Sequence, residues 1–281
     1  MSISQDESEL IGELVSRADE KQALGDATGA RDILLEAARV GGAPGGVFHN
    51  LGIVEHQVGM LESALENYGN AIDRGYPSLV NRGLVYEKLG RPMDALSDYR
   101  AALKYKPSDV DALTNMGLLY LELGDLEAAY TALRQASTLD VRVNWQLADV
   151  LIAQGDKSGA VNALDAAIAA GESRAHVERG ILANQLGDLP GAIRHFNDAI
   201  DAGARGARAE LAIALDLNDQ PERGLEIARL GIELGDELCF APAAVIAESL
   251  GKRDLAIEYY RAAIAAGDAT YQDDLDHLLG T

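Results

Sequence analysis

The chain lacks the residues from which a covalently stabilised or membrane-spanning protein is built. Its 281 residues include one cysteine, Cys239, which excludes an internal disulfide and a cysteine-based structural metal site. No stretch approaches the ~18 apolar residues of a membrane helix, and the first residues lack the basic and apolar segments of a secretion signal. We therefore expect a soluble, cytoplasmic protein whose single thiol is buried.

Residues of positive charge are also scarce. Lysine and arginine number 24 against 45 aspartates and glutamates, which gives a formal net charge of −21 at pH 7. A field of that sign repels nucleic-acid phosphates and anionic lipid headgroups, so we expect neither nucleic acid nor a membrane as a partner. The acidity instead favours solubility or a partner with basic flanks. The apolar fraction of 48% is enough to form a buried core.

What the chain has in abundance is a repeated turn. Gly124, in the stretch Leu123-Gly124-Asp125, has counterparts at intervals of 31 to 34 residues, and this period is typical of stacked helical repeats. Because a glycine adopts positive φ without strain, we expect each turn residue to end a helix. The eight turn residues are Gly25, Gly59, Gly90, Gly124, Gly155, Gly187, Asp219 and Gly251.

Three columns of small residues accompany the turns. We name the helix before each turn helix A and the helix after it helix B. On helix A, seven residues before the turn, the small residues are Ala18, Gly52, Gly83, Gly117, Ala148, Gly180, Ala212 and Ala244. On helix B, the columns begin with Ala30 and Ala37 and continue with one small residue in every later repeat. Such columns predict antiparallel helix pairs in close contact, with Gly117 on helix A facing Ala129 on helix B.

This pattern resembles the tetratricopeptide repeat, a helix-turn-helix unit of about 34 residues. In the repeat that matches best, the residues in phase with the family signature are Gly83, Tyr86, Leu89, Gly90, Ala95, Tyr99, Ala102 and Pro107. The resemblance implies an all-α fold, a right-handed α-solenoid of about eight repeats across residues 10–266, with a flexible N-terminus at 1–9 and a capping helix at 267–281. The family's tryptophan at the fourth repeat position is absent, and most repeats are shorter than 34 residues. These short repeats close helix B in a manner similar to the Sel1-like branch, but without its longer period.

The resemblance also points to a binding surface. In the family, helix A forms the concave face, and its sixth position is occupied here by Asn50, Asn81, Asn115 and Gln146. A carboxamide both donates and accepts hydrogen bonds, so a ladder of carboxamides can pair with successive amide groups of an extended peptide. The alternative is that these side chains simply face water on a polar surface.

Apolar and basic residues surround this predicted ladder. Leu84, Leu118 and Trp145 lie at inner-face positions, where Trp145 is either an anchor for a ligand side chain or a core residue. Arg142 lies at a position that belongs to the family's clamp for peptide carboxylates. Only two of the five clamp positions carry a suitable residue, so we reject chaperone docking.

The titratable residues do not form a catalytic set by their spacing. His49 and His56 lie seven residues apart, whereas metal ligands on a helix are usually three or four apart, and His176, His195 and His277 are isolated. We predict a noncatalytic scaffold that binds an extended peptide or partner protein segment in its concave groove, with no cofactor and no metal. A peptide-sensing regulator, a structural subunit of a larger assembly and an enzyme are the alternatives. The sequence leaves open whether the protein forms a homo-oligomer.

Overall fold

The computed structural model describes residues 4–280, which form an all-α protein. This part of the chain contains 17 α-helices, three short 3-10 helices and no strand. The contacts between residues divide the helices into two compact units, Met1–Asp140 and Val141–Thr281. Across the described residues, no helix is both long enough and apolar enough to cross a membrane.

Unit 1 contains four helix pairs. Its helices are α1 Gln5–Ala23, α2 Ala27–Arg39, α3 Gly45–Gln57, α4 Leu61–Asp73, α5 Leu79–Lys88, α6 Pro92–Tyr105, α7 Val110–Glu122 and α8 Leu126–Leu139. The odd-numbered helices are the A helices and the even-numbered ones are the B helices. Each A helix packs against the B helix that follows it, and α2, α4 and α6 also pack against the next pair. The unit is therefore a stack of helix pairs.

Unit 2 contains four further pairs and an additional C-terminal helix. Its α-helices are α9 Asn144–Ala153, α10 Lys157–Ala169, α11 Ser173–Gln185, α12 Leu189–Asp201, α13 Ala207–Leu217, α14 Pro221–Glu233, α15 Phe240–Ser249, α16 Arg253–Ala265 and α17 Gln272–Leu279. The 3-10 helices Val141–Val143, Glu237–Cys239 and Ala269–Tyr271 precede α9, α15 and α17. The pairs stack as in unit 1, and α17 packs against α16.

The repeated turn works as the sequence predicts. Gly124 has a φ of 80°, which ends α7, and the carboxylate of Asp125 then accepts a hydrogen bond of 3.1 Å from the Ala128 amide to begin α8. All the other turn residues also have positive φ. Asp219, with a φ of 55°, is the only residue other than glycine to do so between residues 4 and 280. In the turn at Gly124 and Asp125, the glycine therefore ends one helix and the aspartate caps the N-terminus of the next.

The small residues of the three columns lie between the helices. Almost all of them are buried; Ala102 is half-buried. The atoms nearest to Gly117, however, belong to a residue of helix B other than the expected Ala129. A Cβ atom placed on Gly117 would lie 2.6 Å from the Cγ atom of Leu133, and its nearest neighbours all belong to Leu133 rather than to Ala129. A large side chain of helix B therefore fills the space that the missing side chain on helix A leaves.

The same complementarity recurs in other pairs, with larger partners. A Cβ atom on Gly83 would lie 2.5 Å from the ring of Tyr99, and one on Gly180 would lie 2.5 Å from the ring of Phe196. Tyr99 is fully buried, and its hydroxyl donates a hydrogen bond to the carboxylate of Glu87 on the same pair's helix A. Helix A thus supplies both the space for the aromatic ring and the acceptor for its hydroxyl.

The two ends of the chain differ from the expected boundaries. The first helix begins at Gln5, inside the segment expected to be flexible, because Ser4 and Glu7 form a reciprocal capping box. Residues 1–3 and 281 lie outside the described residues. At the other end, the expected capping helix is α17, in which Leu275 is buried against the last pair and Leu279 is 40% exposed.

The single cysteine is buried, as expected. Cys239 is a free thiol with no exposed surface, and burial raises its pKa to about 12. Its sulfur occupies the space beside Gly231, where a Cβ atom would lie 2.2 Å from it. The thiol is therefore a packing group between α14 and the start of α15.

A matched pair of glycine substitutions tests this packing. Alanine favours a helix over glycine by up to about 1 kcal/mol, and Gly12 of α1 has no atom within 4 Å of the added Cβ, so Gly12→Ala should stabilise the protein. Gly117→Ala gains the same propensity but overpacks against Leu133, which costs about 1 to 3 kcal/mol. Urea denaturation should show opposite signs for the two variants. A stabilising Gly117→Ala would contradict the contact.

Candidate functional site

The inner-face positions of unit 2 form a groove, which we call the unit 2 groove. It has a volume of about 590 Å³. Its main lining residues are Arg174, Val177, Glu178 and Ile181 from α11, Ala209, Glu210, Ile213 and Leu217 from α13, Leu238, Val245 and Ile246 near and within α15, and Tyr271 before α17. These residues come from successive A helices, because each A helix buries one side against its B helix and leaves the other side uncovered.

The groove displays large apolar side chains to solvent. Ile213 is 38% exposed, Leu217 57%, Leu238 54% and Val245 43%. Apolar side chains scattered singly over a surface are ordinary, but a cluster within a concave surface is typical of an interaction site. These four residues were not among the sequence-based candidates, which came from the carboxamide column and its neighbours in earlier repeats.

Carboxylates lie beside this apolar cluster. Glu178 of α11 and Glu210 of α13 are both half-buried, and Glu178 accepts a hydrogen bond of 3.3 Å from the guanidinium of Arg174. Burial and the negative charge of Glu178 raise the pKa of Glu210. A positively charged group would relieve this repulsion, so the groove is suited to a basic residue of a ligand.

Trp145 and Asp149 of α9 lie next to the charged edge of the groove. The Arg174 guanidinium lies 5.2 Å from the centre of the Trp145 ring, within the range of a cation–π contact. The Asp149 side chain is half-buried, and burial together with the charge of Glu178 raises its pKa to about 6, against the opposite effect of Arg174. Trp145 is half-buried, so the structure places it at a charged surface rather than wholly in the core.

The other two candidates in unit 2 differ in exposure. Gln146 is half-buried, and its side-chain oxygen is buried without a hydrogen-bond partner among the described residues. Arg142 is exposed in the 3-10 helix before α9. The hydrogen-bonding capacity of the Gln146 oxygen is therefore unused within the described residues.

In unit 1, the three asparagines of the predicted ladder lie on successive A helices. Asn50, Asn81 and Asn115 belong to α3, α5 and α7, and all three are half-buried. Asn81 also lies near the hydroxyl of the buried Tyr68, whose pKa burial raises to about 12 while Asn81 acts to lower it. The Asn81 carboxamide therefore has a core neighbour that the sequence pattern did not predict.

The apolar candidates of unit 1 are only partly available. Leu84 and Leu118 are half-buried. A separate pocket of about 410 Å³ lies at the ends of the helices, where it is lined mainly by Tyr76, Val80 and Tyr105 together with neighbouring loop residues. Tyr105 is 91% exposed. It was not among the sequence-based candidates, because it lies at the end of α6 outside the family signature.

The histidines are arranged differently from their expected isolation. The Nδ1 atom of His49 lies 2.8 Å from the Ser78 hydroxyl, and its ring contacts Tyr76. His176 of α11 and His195 of α12 lie together, with their ring centres 6.4 Å apart. The sequence suggested no relation between these two residues, since 18 residues and a turn separate them.

The helix pairs match a known family model. Two models, both described as tetratricopeptide repeat, match this chain, one at residues 80–140 and 146–207 and the other at residues 243–266, which together are just over half of the chain. The chain belongs to the tetratricopeptide repeat family. Its all-α repeat arrangement is the fold that the sequence pattern predicted, and proteins of this family are in general protein-interaction scaffolds.

The individual proteins to which this chain is similar share little sequence identity with it. A 119-residue segment is 28% identical to the BBSome complex member BBS4 of Bos taurus, and it covers 42% of this chain but only 23% of that protein. The fold is similar to that of a tetratricopeptide repeat protein from Parabacteroides merdae, with 20% identity, a TM-score of 0.57 and coverage of 97% of this chain and 98% of the other. It is also similar to yeast Tom70, with 14% identity, a TM-score of 0.73 and coverage of 91% and 58%.

The raised pKa of Asp149 predicts a pH-dependent effect of Asp149→Asn. Because the folded state binds the proton more tightly than an unfolded chain with a pKa of ~3.9, the wild type loses stability as the pH rises toward and through about 6. The neutral asparagine avoids this loss. The melting temperature of Asp149→Asn should therefore exceed that of the wild type at pH 8, and the two should converge at pH 4 to 5.

The exposed residue Glu226 of α14 provides the control. Glu226→Gln should change the melting temperature by a similar small amount at both pH values. An effect of Asp149→Asn that is equal at pH 8 and pH 4 would contradict the assigned pKa.

Proposed function

We propose that this tetratricopeptide repeat protein is a noncatalytic scaffold that binds an extended segment of a partner protein in the unit 2 groove. The observation that carries this proposal is the cluster of exposed apolar side chains within a concave surface, whose charged lining residues are Glu178, Glu210, Asp216, Arg174 and Arg205. A ligand of matching chemistry would bring apolar side chains for Ile213, Leu217 and Val245 and basic residues for the carboxylates.

The geometry favours a peptide segment over a small molecule. The lining residues come from three successive A helices and the segment before α17, so the surface extends along several repeats. Burying exposed apolar area supplies affinity, and the half-buried carboxylates Glu178 and Glu210 supply a preference for basic residues. The bovine relative is itself a member of a protein complex, which is consistent with a protein partner.

Peptide selection followed by calorimetry tests this proposal. Random peptides displayed on phage and selected on the purified protein should be enriched in basic residues with spaced apolar side chains. For a selected synthetic peptide, Leu217→Ala and Ile213→Ala should each weaken binding by about 1 to 2 kcal/mol, because each removes apolar contact area in the groove. The folded state should tolerate both changes, since both side chains are exposed.

Leu230→Ala is the matched control. Leu230 lies on α14 of the same unit, is 43% exposed and does not line the groove. The Leu230→Ala variant should therefore bind the selected peptide with wild-type affinity. If all three variants bound equally well, or if no peptide were enriched, the unit 2 groove would not be the binding surface.

We also propose that the carboxamides of unit 1 hydrogen-bond to the backbone of a bound segment. The exchange of one or two amide hydrogen bonds is worth about 0.5 to 2 kcal/mol, so Asn115→Ala should weaken binding of a unit 1 ligand by that amount. Asn81→Ala should weaken it similarly. Because Asn81 lies near the Tyr68 hydroxyl, this variant should also lower the melting temperature, whereas Asn115→Ala should not.

Separate titrations of each variant and of the double mutant with a peptide selected on residues 4–140 would measure both effects. Wild-type affinity in all of them would rule out the ladder. Trp145→Ala belongs to the unit 2 test, where loss of peptide binding at unchanged stability would identify a ligand anchor, and loss of stability alone would identify a packing residue.

A further inference from the structure

Three side chains of unit 2 form a cluster that the protein-binding function does not use. His176 lies on α11, and His195 and Asp198 lie three residues apart on α12. One ligand atom from each of the three side chains lies within 4.8 Å of the others. Across residues 4–280, no other group of three or more histidine, cysteine, aspartate and glutamate side chains has this geometry.

Each of the two imidazoles has a ring nitrogen whose hydrogen-bonding capacity is unused within residues 4–280. The Nδ1 atoms of His176 and His195 are both buried, and neither has a hydrogen-bond partner among the described residues. A buried polar atom without a partner costs stability, so each case requires an explanation. These two nitrogens belong to neighbouring rings. The absence of a hydrogen bond at both has one explanation if both rings bind the same ligand through their lone pairs.

We propose that His176, His195 and Asp198 bind a divalent transition metal ion of the zinc class. Two imidazoles and one carboxylate suit Zn²⁺ or Co²⁺, whereas Mg²⁺ and Ca²⁺ prefer ligand sets made of oxygen atoms. Three protein ligands leave a fourth position, and the exposed Asp198 keeps the site accessible to a water molecule that can occupy it.

The distances require only a small adjustment. Ligand atoms bonded to Zn²⁺ at about 2.0 to 2.1 Å in a tetrahedron lie about 3.3 Å from one another. From the present upper limit of 4.8 Å, the exposed Asp198 reaches that distance by a change of rotamer, and the two half-buried imidazoles must also rotate toward each other. The i,i+3 spacing of His195 and Asp198 already places both ligands on one face of α12.

The surrounding charges are compatible with a cation. Arg179 lies near His195, and its positive charge opposes a bound cation. Arg179 is itself paired with Asp165 at 3.1 Å, which offsets its repulsion of an ion. Asp165 and Asp198 both attract positive charge to His195.

The cluster is separate from the unit 2 groove. On α11, His176 lies about 200° around the helix axis from the groove residues Arg174 and Glu178. A metal ion would therefore join α11 to α12 without occupying the groove. Its expected effect is to stabilise this helix pair, because an ion that binds the folded chain and not the unfolded one raises the melting temperature.

The test uses the full chain without a histidine tag, dialysed against a chelator and then titrated with Co²⁺ and Zn²⁺. One equivalent of Co²⁺ should bind with visible absorption bands, and Zn²⁺ should displace it and raise the melting temperature. Asp198→Asn and His195→Gln should each raise the dissociation constant at least about tenfold, since even partners outside the ligand set change metal affinity by about 10- to 100-fold.

His277→Ala is the control, because His277 is an exposed histidine on α17 of the same unit. It should bind Co²⁺ as the wild type does. Asp198→Asn alters an exposed side chain and should fold normally, which its circular dichroism without metal would verify. No saturable binding below about 100 μM, or equal binding by wild type and Asp198→Asn, would overturn the proposal.

Discussion

The structure depends on close contact between the two helices of each pair. Helix A supplies a small residue and helix B supplies a large side chain that fills the space, as Gly117 and Leu133 show. Replacing the small residue would push the helices apart, because protein interiors have few voids into which a displaced side chain can move. The glycine in the A helix costs about 1 kcal/mol of helix propensity, and the packing of the opposing side chain offsets this cost.

This contact also determines where a ligand can bind. Since the B helix covers one side of each A helix, the opposite side of the A helices is left to form the unit 2 groove, with Ile213 and Leu217 exposed. Four aromatic side chains of the B helices, Tyr68, Tyr99, Phe196 and Tyr260, are used in the core. Some carboxylates are used in the same way, because Glu87 and Glu248 accept hydrogen bonds from Tyr99 and Tyr260. The acids available to a ligand are others, chiefly Glu178 and Glu210.

Polar groups that lack intramolecular partners connect the fold to its proposed functions. The oxygen of Gln146 and the Nδ1 atoms of His176 and His195 are buried without a hydrogen bond among residues 4–280. Because such groups destabilise a folded chain unless something pairs with them, they mark places where a ligand would contribute stability. We propose a peptide amide as that ligand for Gln146 and a metal ion for the histidines, so the two proposals concern separate kinds of binding chemistry.

The sequence by itself determined the repeat, the turn residues, the buried columns and hence the family, because helix periodicity, positive φ and small size are local properties of residues such as Gly124 and Ala129. The order of helices followed, although the first helix begins earlier than expected because Ser4 caps it. Only the tertiary structure decided which side chains meet. Leu133 rather than Ala129 faces Gly117, His176 meets His195 across a turn, and Leu217 remains exposed, since each outcome depends on the angle and distance between packed helices rather than on spacing along the chain.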